Sequence, residues 1–527
     1  MTRHLRSAVI AGTVAALAVS SGATTPFARR AAPDHLLFMV FDQMRPDYID
    51  RFGLENFKRL RASSRHYPDA YVGHLASQTV VAHLVMPTGL PPRTLPWVDE
   101  AFVDEAGTLG KPGAAYKTGE LSLDQSWKLL ERIPRQQFLP ARLLDALGEK
   151  VGGVFAVGEK DYATNFLGGP HASSVVALAK PLPDSTQCTP AGMNVPAYIS
   201  SNSRFIVDCA PTQTYGTGFS TIYKIDGNRY VPGKDLANLG GDVWTADVAI
   251  EIMKRDRWSG LFLTFAGIDK IAHMLGEQDG HGLESVPSEY RLADMLRIAD
   301  QQLGRLLATL DDQGLTSRTL VVVTSDHGGQ KNDFYMGNNG SQSCCPFEGS
   351  KGDVTPPYWV KHLNELAGGK LKTAYASTIL NLWLADRSGP TEQIVTRGMK
   401  DIPGITEIYA RRQTGAAYRY EQVHANFEAT TAKFQAWAKR HSAELIGTMA
   451  GPAGPDLVGL LKDGYGFGRI GDHGGAQELV QRIPLFIRVP GEAPARRTEP
   501  LRQMDLAPEI TKILGLRPAP IATPPAR

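Results

Sequence analysis

The sequence predicts an α/β protein: a three-layer arrangement with a mainly parallel central sheet flanked by helices and loop-rich insertions capping it. Three observations carry that expectation. Apolar runs of strand length alternate with helical stretches, as in Leu36-Leu37-Phe38-Met39-Val40-Phe41, Leu261-Phe262-Leu263-Thr264-Phe265 and Leu320-Val321-Val322-Val323-Thr324. Each of these runs leads into an aspartate: Asp42, Asp269 or Asp326. Open α/β sheets gather ligand-binding groups at the carboxyl ends of their strands. Finally, two Pro/Ser/Thr/Asn/Gly-rich stretches interrupt the alternation and read as caps.

Taken in order, the elements are strand 35–41, a helix from about 56 to 64, a helix opening at Thr79, helix 139–147, strand 153–157, helix 243–254, strand 261–265, helix 289–310 and strand 320–324. The strands are apolar along both faces, which suits a sheet covered on both sides. The first insertion, about 166–241, holds short alternating stretches such as Thr221-Ile222-Tyr223-Lys224-Ile225. The second, about 340–453, reads as helical near 375–385 and 421–439. Long loops on α/β enzymes line the mouth of the site, so each insertion is either a structural lid or a substrate contact.

Three segments bring Asp and His together. His273 follows Asp269 by four residues in Asp269-Lys270-Ile271-Ala272-His273-Met274-Leu275-Gly276, and Asp-His-Gly-Gly occurs at both Asp326 and Asp472. One Asp-His pair after a strand is ordinarily a turn with a capping aspartate. Several in succession point to metal, because carboxylates and neutral imidazoles suit zinc and related divalent ions. Two ions roughly 3.5–4 Å apart clamp the attacking and leaving oxygens of a phosphoryl group.

The order and spacing of these motifs resemble the alkaline phosphatase superfamily, in particular its type I phosphodiesterase/nucleotide pyrophosphatase branch and the related threonine-nucleophile phosphatases. The resemblance runs from about residue 33 to 515 and implies an alkaline-phosphatase-like three-layer sandwich. It makes Asp42 the metal ligand that ends the first strand. Counting back nine residues from Thr88-Gly89 gives Thr79 as nucleophile, with His83 at the recurrent helix histidine. By the same resemblance Asp42, Thr79, Asp326 and His327 hold one ion, and Asp269, His273 and His473 the other. The closing pattern also matches: His473-Gly474-Gly475, then a Pro484-led apolar strand. Without these neighbours, a threonine opening an apolar helix is simply an N-cap. The sulfatase signature, Cys or Ser in Cys/Ser-x-Pro-x-Arg, is absent around Thr79.

Two departures bear on substrate. Where the family often carries an asparagine about twenty-one residues after the nucleophile, this chain has Glu100, whose carboxylate donates no hydrogen bond and repels a phosphate dianion. The segment Lys160-Asp161-Tyr162 resembles the Lys-Asp-Arg of threonine-nucleophile phosphatases with the arginine replaced. Lys160 is then either a phosphoryl contact or a solvated loop lysine. Losing the asparagine and the arginine weakens the grip on a monoester more than on a less charged diester. The expectation is therefore a phosphodiesterase or nucleotide pyrophosphatase working through phosphothreonine with two divalent ions, zinc foremost, on a small-molecule phosphoester. A phosphomonoesterase is the alternative; a phosphotransferase or a metal-binding pseudoenzyme stands further off.

Arg3 and Arg6 precede an apolar stretch from Ala8 to Val19 and then small residues, the layout of a secretory signal peptide over about residues 1–28. About a dozen apolar residues are too few for a stable span, so the mature chain is expected without a membrane anchor, secreted or periplasmic, with an uncleaved N-terminal anchor as the rival reading. The formal charge of +2 falls to zero once Arg3 and Arg6 are removed. A neutral chain gives no case for nucleic acid held by bulk charge. Because candidate ligands run from Asp42 to His473, a single catalytic domain is expected over 33–520. Cys188, Cys209, Cys344 and Cys345 lie in the insertions, and in an oxidising compartment Cys188 with Cys209 is the favoured of three pairings.

Overall fold

The strand His35–Phe41 is buried along its whole length. Its side chains alternate between two cores, Leu37, Met39 and Phe41 on one face and Leu36, Phe38 and Val40 on the other. A strand buried in this way needs a cover on both sides. In this computed structural model, which describes residues 32–178, 187–208, 240–275, 288–335, 358–467 and 471–520, helices supply it. Gly240–Arg255 and Ser288–Asp312 pack on the first face. Thr79–Thr88, Leu139–Leu147 and Gln503–Ile513 pack on the second.

The central sheet has nine strands in the order Ala495–Arg496, Arg65–His66, Leu485–Arg488, Thr319–Thr324, His35–Phe41, Trp258–Phe265, Gly153–Gly158, Ser174–Leu178, Pro190–Met193. The five from Thr319–Thr324 to Ser174–Leu178 run parallel. Leu485–Arg488 and Pro190–Met193 flank them antiparallel. This is the three-layer sandwich expected from the sequence, and Pro33–Arg527 forms one compact unit.

Two expectations need correction. The first insertion does not begin at 166, because Ser174–Leu178 and Pro190–Met193 belong to the central sheet. The second is not helical at 375–385. Leu371–Ala376, Ile379–Leu384, Leu457–Leu461, Ile405–Thr414 and Ala417–Ala425 form a five-stranded antiparallel sheet in that spatial order, and the later helix starts only at Ala432. The physical reason is visible in Ile379–Leu384: Ile379 and Trp383 enter one core, Leu380, Leu382 and Leu384 another. A short apolar run buried on both faces has no period that separates strand from helix. The signal segment 1–28, the 221–225 stretch, and Cys209, Cys344 and Cys345, hence the Cys188 pairing, lie outside the described residues.

Candidate metal centre and active site

Four adjacent strands deliver side chains to one edge of the sheet. Thr319–Thr324 leads to Asp326 and His327, His35–Phe41 to Asp42, and Gly153–Gly158 to Glu159 and Lys160. Trp258–Phe265 leads into the helix Gly267–Leu275, where Asp269 and His273 share a face one turn apart. A short bridge, Gln330 opposite Asp472, brings His473 to the same place. The fully buried helix Thr79–Thr88 starts there with Thr79 as its first residue.

The candidate ligands converge. Asp269 Oδ1 lies 3.1 Å from His273 Nε2 and 3.4 Å from His473 Nε2, and the two Nε2 atoms are 3.0 Å apart. His327 Nε2 lies 3.5 Å from Asp42 Oδ1, 3.4 Å from Asp326 Oδ2 and 3.3 Å from Thr79 Oγ1. The rings of His327 and His473 stack at 3.6 Å, so the two sets adjoin. Asp269 in fact groups with His327 and His473 as readily as with His273.

Hydrogen bonding behind the rings fixes their tautomers. Nδ1 of His273 faces the Gly471 carbonyl at 2.8 Å, Nδ1 of His327 the Gly328 carbonyl at 2.9 Å, and Nδ1 of His473 the Ser77 carbonyl at 3.1 Å. A carbonyl only accepts, so in each neutral ring Nδ1 carries the hydrogen and Nε2 turns a lone pair inward. Opposite these lone pairs, the buried Asp42 Oδ1, Asp269 Oδ1 and Asp326 Oδ2 accept no hydrogen bond among the described residues. Buried acceptors facing buried acceptors are costly. A divalent cation resolves both sets, and the residues present fit it.

Charge tells the same story. Burial, then the neighbouring Asp269 and Asp326, pushes the Asp42 carboxyl well above the usual carboxylate range. Burial works the same way on Asp269, but the Lys160 ammonium 2.6 Å away helps hold it well below that range. Burial and the adjoining His327 keep the His473 ring neutral. The site carries more negative charge than its one lysine balances.

That lysine is not a solvated loop residue. Lys160 Nζ lies 2.5 Å from Asp42 Oδ2 and 2.6 Å from Asp269 Oδ2, bridging the two ligand groups. Glu100 is half-buried, with its backbone amide donating to Asp99 at 2.7 Å. Its charge, like those of Asp42 and Asp269, reaches the partly buried Tyr162 phenol, whose pKa is raised first by desolvation. Glu100 belongs to none of the candidate ligand groups. His83 belongs to the helix packing: its ring donates and accepts between the Thr79 carbonyl at 2.7 Å and Thr264 Oγ1 at 2.9 Å.

Thr79 is no ordinary cap. Gln78 holds the N-cap position without a side-chain cap, and the Thr79 hydroxyl points to His327. The glycines of the Asp-His-Gly-Gly repeats answer close packing. A Cβ on Gly328 would overlap the backbone carbonyl of Leu479. Sequence reasoning passed over the part-buried pair Lys270 Nζ to Glu159 Oε2, 2.7 Å, in which Glu159 is the chain neighbour of Lys160. It also passed over Asp472, which groups with His273 and His473 yet lies 3.9 Å from the Nδ1 side of His273, away from the lone pairs. Glu159 and Lys270 carried no distinguishing signal, whereas Asp472 opens the second Asp-His-Gly-Gly, in which His473 was taken as the ligand.

The sequence profile of the type I phosphodiesterase / nucleotide pyrophosphatase family matches residues 36–114 and 228–467. The chain belongs to this family. It is accordingly a phosphoester hydrolase. Asp42, Thr79, Asp269, His273, Asp326 and His327 fall within the matched spans, and Lys160 and His473 outside them. No curated protein sequence matches the chain. Among solved structures, this family member is similar in fold to the alkaline phosphatase PafA, with a TM-score of 0.62 and 16% identity over 93% of this chain and 97% of that one. It is also similar to murine ectonucleotide pyrophosphatase/phosphodiesterase 5, with a TM-score of 0.53 and 13% identity over 93% and 97%.

Proposed function

We propose that the protein is an exported phosphodiesterase of the nucleotide pyrophosphatase type that acts through a phosphothreonine on Thr79. The observation that supports it most is the meeting of three inward Nε2 lone pairs with three unsatisfied carboxylate oxygens beside the Thr79 hydroxyl. Asp42, Asp326 and His327 with Thr79, and Asp269, His273 and His473, would hold two divalent ions, zinc foremost. When bound, such ions neutralise phosphoryl oxygens and lower the pKa of a coordinated hydroxyl. Murine ectonucleotide pyrophosphatase/phosphodiesterase 5, inactive when one threonine is changed to alanine, binds AMP in that form, which agrees with a nucleotide ester here.

The chain's own groups perform the rest. Thr79 stands at the positive end of its helix and is aimed by His327. Its Oγ bonds to phosphorus as the bond to the leaving oxygen breaks, and the departing group takes up the proton. Water then bonds to phosphorus, the Thr79 Oγ–P bond breaks and the hydroxyl regains a proton. The barrier to be removed is on the order of 20 kcal/mol.

Glu100 supports the diester reading, since a carboxylate beside the site disfavours a second negative charge on substrate. Lys160 supports the alternative, a phosphomonoesterase, because it places an ammonium between the two ligand groups. Comparing kcat/KM on an aryl phosphodiester and the matching monoester decides: a diester advantage is expected, and a monoester advantage installs the alternative. Export rests on the Arg3/Arg6 and apolar N-terminal pattern. Among the described residues no helix is long and apolar enough to cross a membrane.

A further inference from the structure

Gln78, the residue before Thr79, is fully buried, and the antiparallel sheet grips its amide at both ends. The Tyr375 hydroxyl donates to Gln78 Oε1 at 2.9 Å, and Gln78 Nε2 donates to Ser377 Oγ at 3.3 Å. Tyr375 and Ser377 sit at the turn joining Leu371–Ala376 to Ile379–Leu384. The same turn holds the His473 segment: Thr378 N donates to the His473 carbonyl at 3.4 Å, and Gln477 Nε2 donates to the Thr378 carbonyl at 2.8 Å. From the other side, Ser77 accepts from His473 Nδ1 at 3.1 Å and donates its hydroxyl to the Gly475 carbonyl at 3.0 Å.

Gly474 records how close these parts lie. Its φ is +112°, and a Cβ there would overlap both Gln78 Nε2 and Ser377 Oγ. The second Asp-His-Gly-Gly thus needs its first glycine so that the turn can reach Gln78 past His473.

We infer that Tyr375, Ser377 and Gln78 are positioning residues for the attack by Thr79: the antiparallel sheet sets where the threonine hydroxyl stands relative to His473. This rests on the reading of Thr79 as nucleophile. The sheet is then a working part of the reaction rather than a cover. Misplacing an attacking atom by about 1 Å costs up to roughly a hundredfold in rate. Substrate affinity does not depend on that placement, so the effect belongs in kcat and not in KM.

Tyr375→Phe removes one hydroxyl and leaves the ring. It is expected to lower kcat roughly tenfold or more with KM within about twofold, while bound metal stays at the wild-type value and Tm falls by only the few degrees that one unpaired buried acceptor costs. Gln78→Met removes the bonds to both Tyr375 and Ser377 and is expected to lower kcat at least as far, and the double variant to lose little more than Gln78→Met alone, because the bond to Tyr375 is already gone. Ser377→Ala serves as the independent arm should Tyr375→Phe fold poorly, and the same fall in kcat is expected. Wild-type kcat in Tyr375→Phe and Ser377→Ala, a change in KM alone, or additive losses in the double variant overturns the inference. Thr79→Ala is assayed alongside. If it is inactive while Tyr375→Phe turns over normally, only the positioning role falls; if it retains turnover, the nucleophile reading falls and the inference with it.

Discussion

His273 and His473 turn their Nε2 atoms toward each other at 3.0 Å, although each ring's hydrogen is committed to a carbonyl on the far side. With Asp269 Oδ1 at 3.1 and 3.4 Å from the same two atoms, three acceptors surround one point. Such a point asks for a cation.

Two divalent ions per chain are therefore expected by elemental analysis, and chelation should silence the enzyme. His273→Ala and His473→Ala are expected to lose one ion, Asp326→Ala and His327→Ala the other. His327 stacks on His473, so its loss should also weaken the second ion. Outer carbonyl partners such as Gly471 and Ser77 are set by the fold, so in the other three variants the remaining ion should keep its site. Full metal content in all four variants would refute the ligand assignment.

Lys160 and Glu100 oppose each other in their effect on substrate charge. Lys160→Ala removes the ammonium bridging Asp42 and Asp269 and should cost a dianionic monoester roughly tenfold more than a monoanionic diester. Glu100→Asn should raise monoester kcat/KM selectively, by less, because Glu100 is half-exposed and screened. Equal effects of Glu100→Asn on both substrates, or none, would remove the main physical support for the diester preference.

Asp99 gives a stability test. It is fully buried, accepting from the Asn381 amide and from Glu100 N. Burial pushes its carboxyl from the ordinary 3.8 up to about 8. The folded state then keeps a proton that the unfolded state releases. Its stabilising contribution is full below the unfolded value and is lost as pH rises toward about 8, by at most about 1.4 kcal/mol per pH unit. Asp99→Asn should flatten the fall in Tm across that window. A Tm profile parallel to wild type would show that Asp99 ionises normally.

Much of this was legible in the chain. Strand 35–41 and helix 139–147 are read to the residue, because apolar runs ending in Asp or Gly leave little choice of boundary. The candidate ligands were legible through the resemblance of their motifs to a known family, and the structure brings all of them together. What was hidden depends on tertiary approach. Lys160 looks like any loop lysine until two carboxylates from neighbouring strands close on it. Tyr375 sits in a segment read as helical, and its bond to Gln78 joins residues 297 positions apart. The antiparallel sheet was missed because strands such as Ile379–Leu384 are buried on both faces and lack alternation.

The central claim is the covalent intermediate on Thr79. Acid quenching of the enzyme during turnover of a nucleotide diester, followed by peptide mass analysis, should find the nucleotidyl group on the peptide containing Thr79 and on no other, and Thr79→Ala should give neither adduct nor turnover. An adduct on another residue, or a Thr79→Ala variant that keeps more than a few per cent of wild-type turnover, would contradict it.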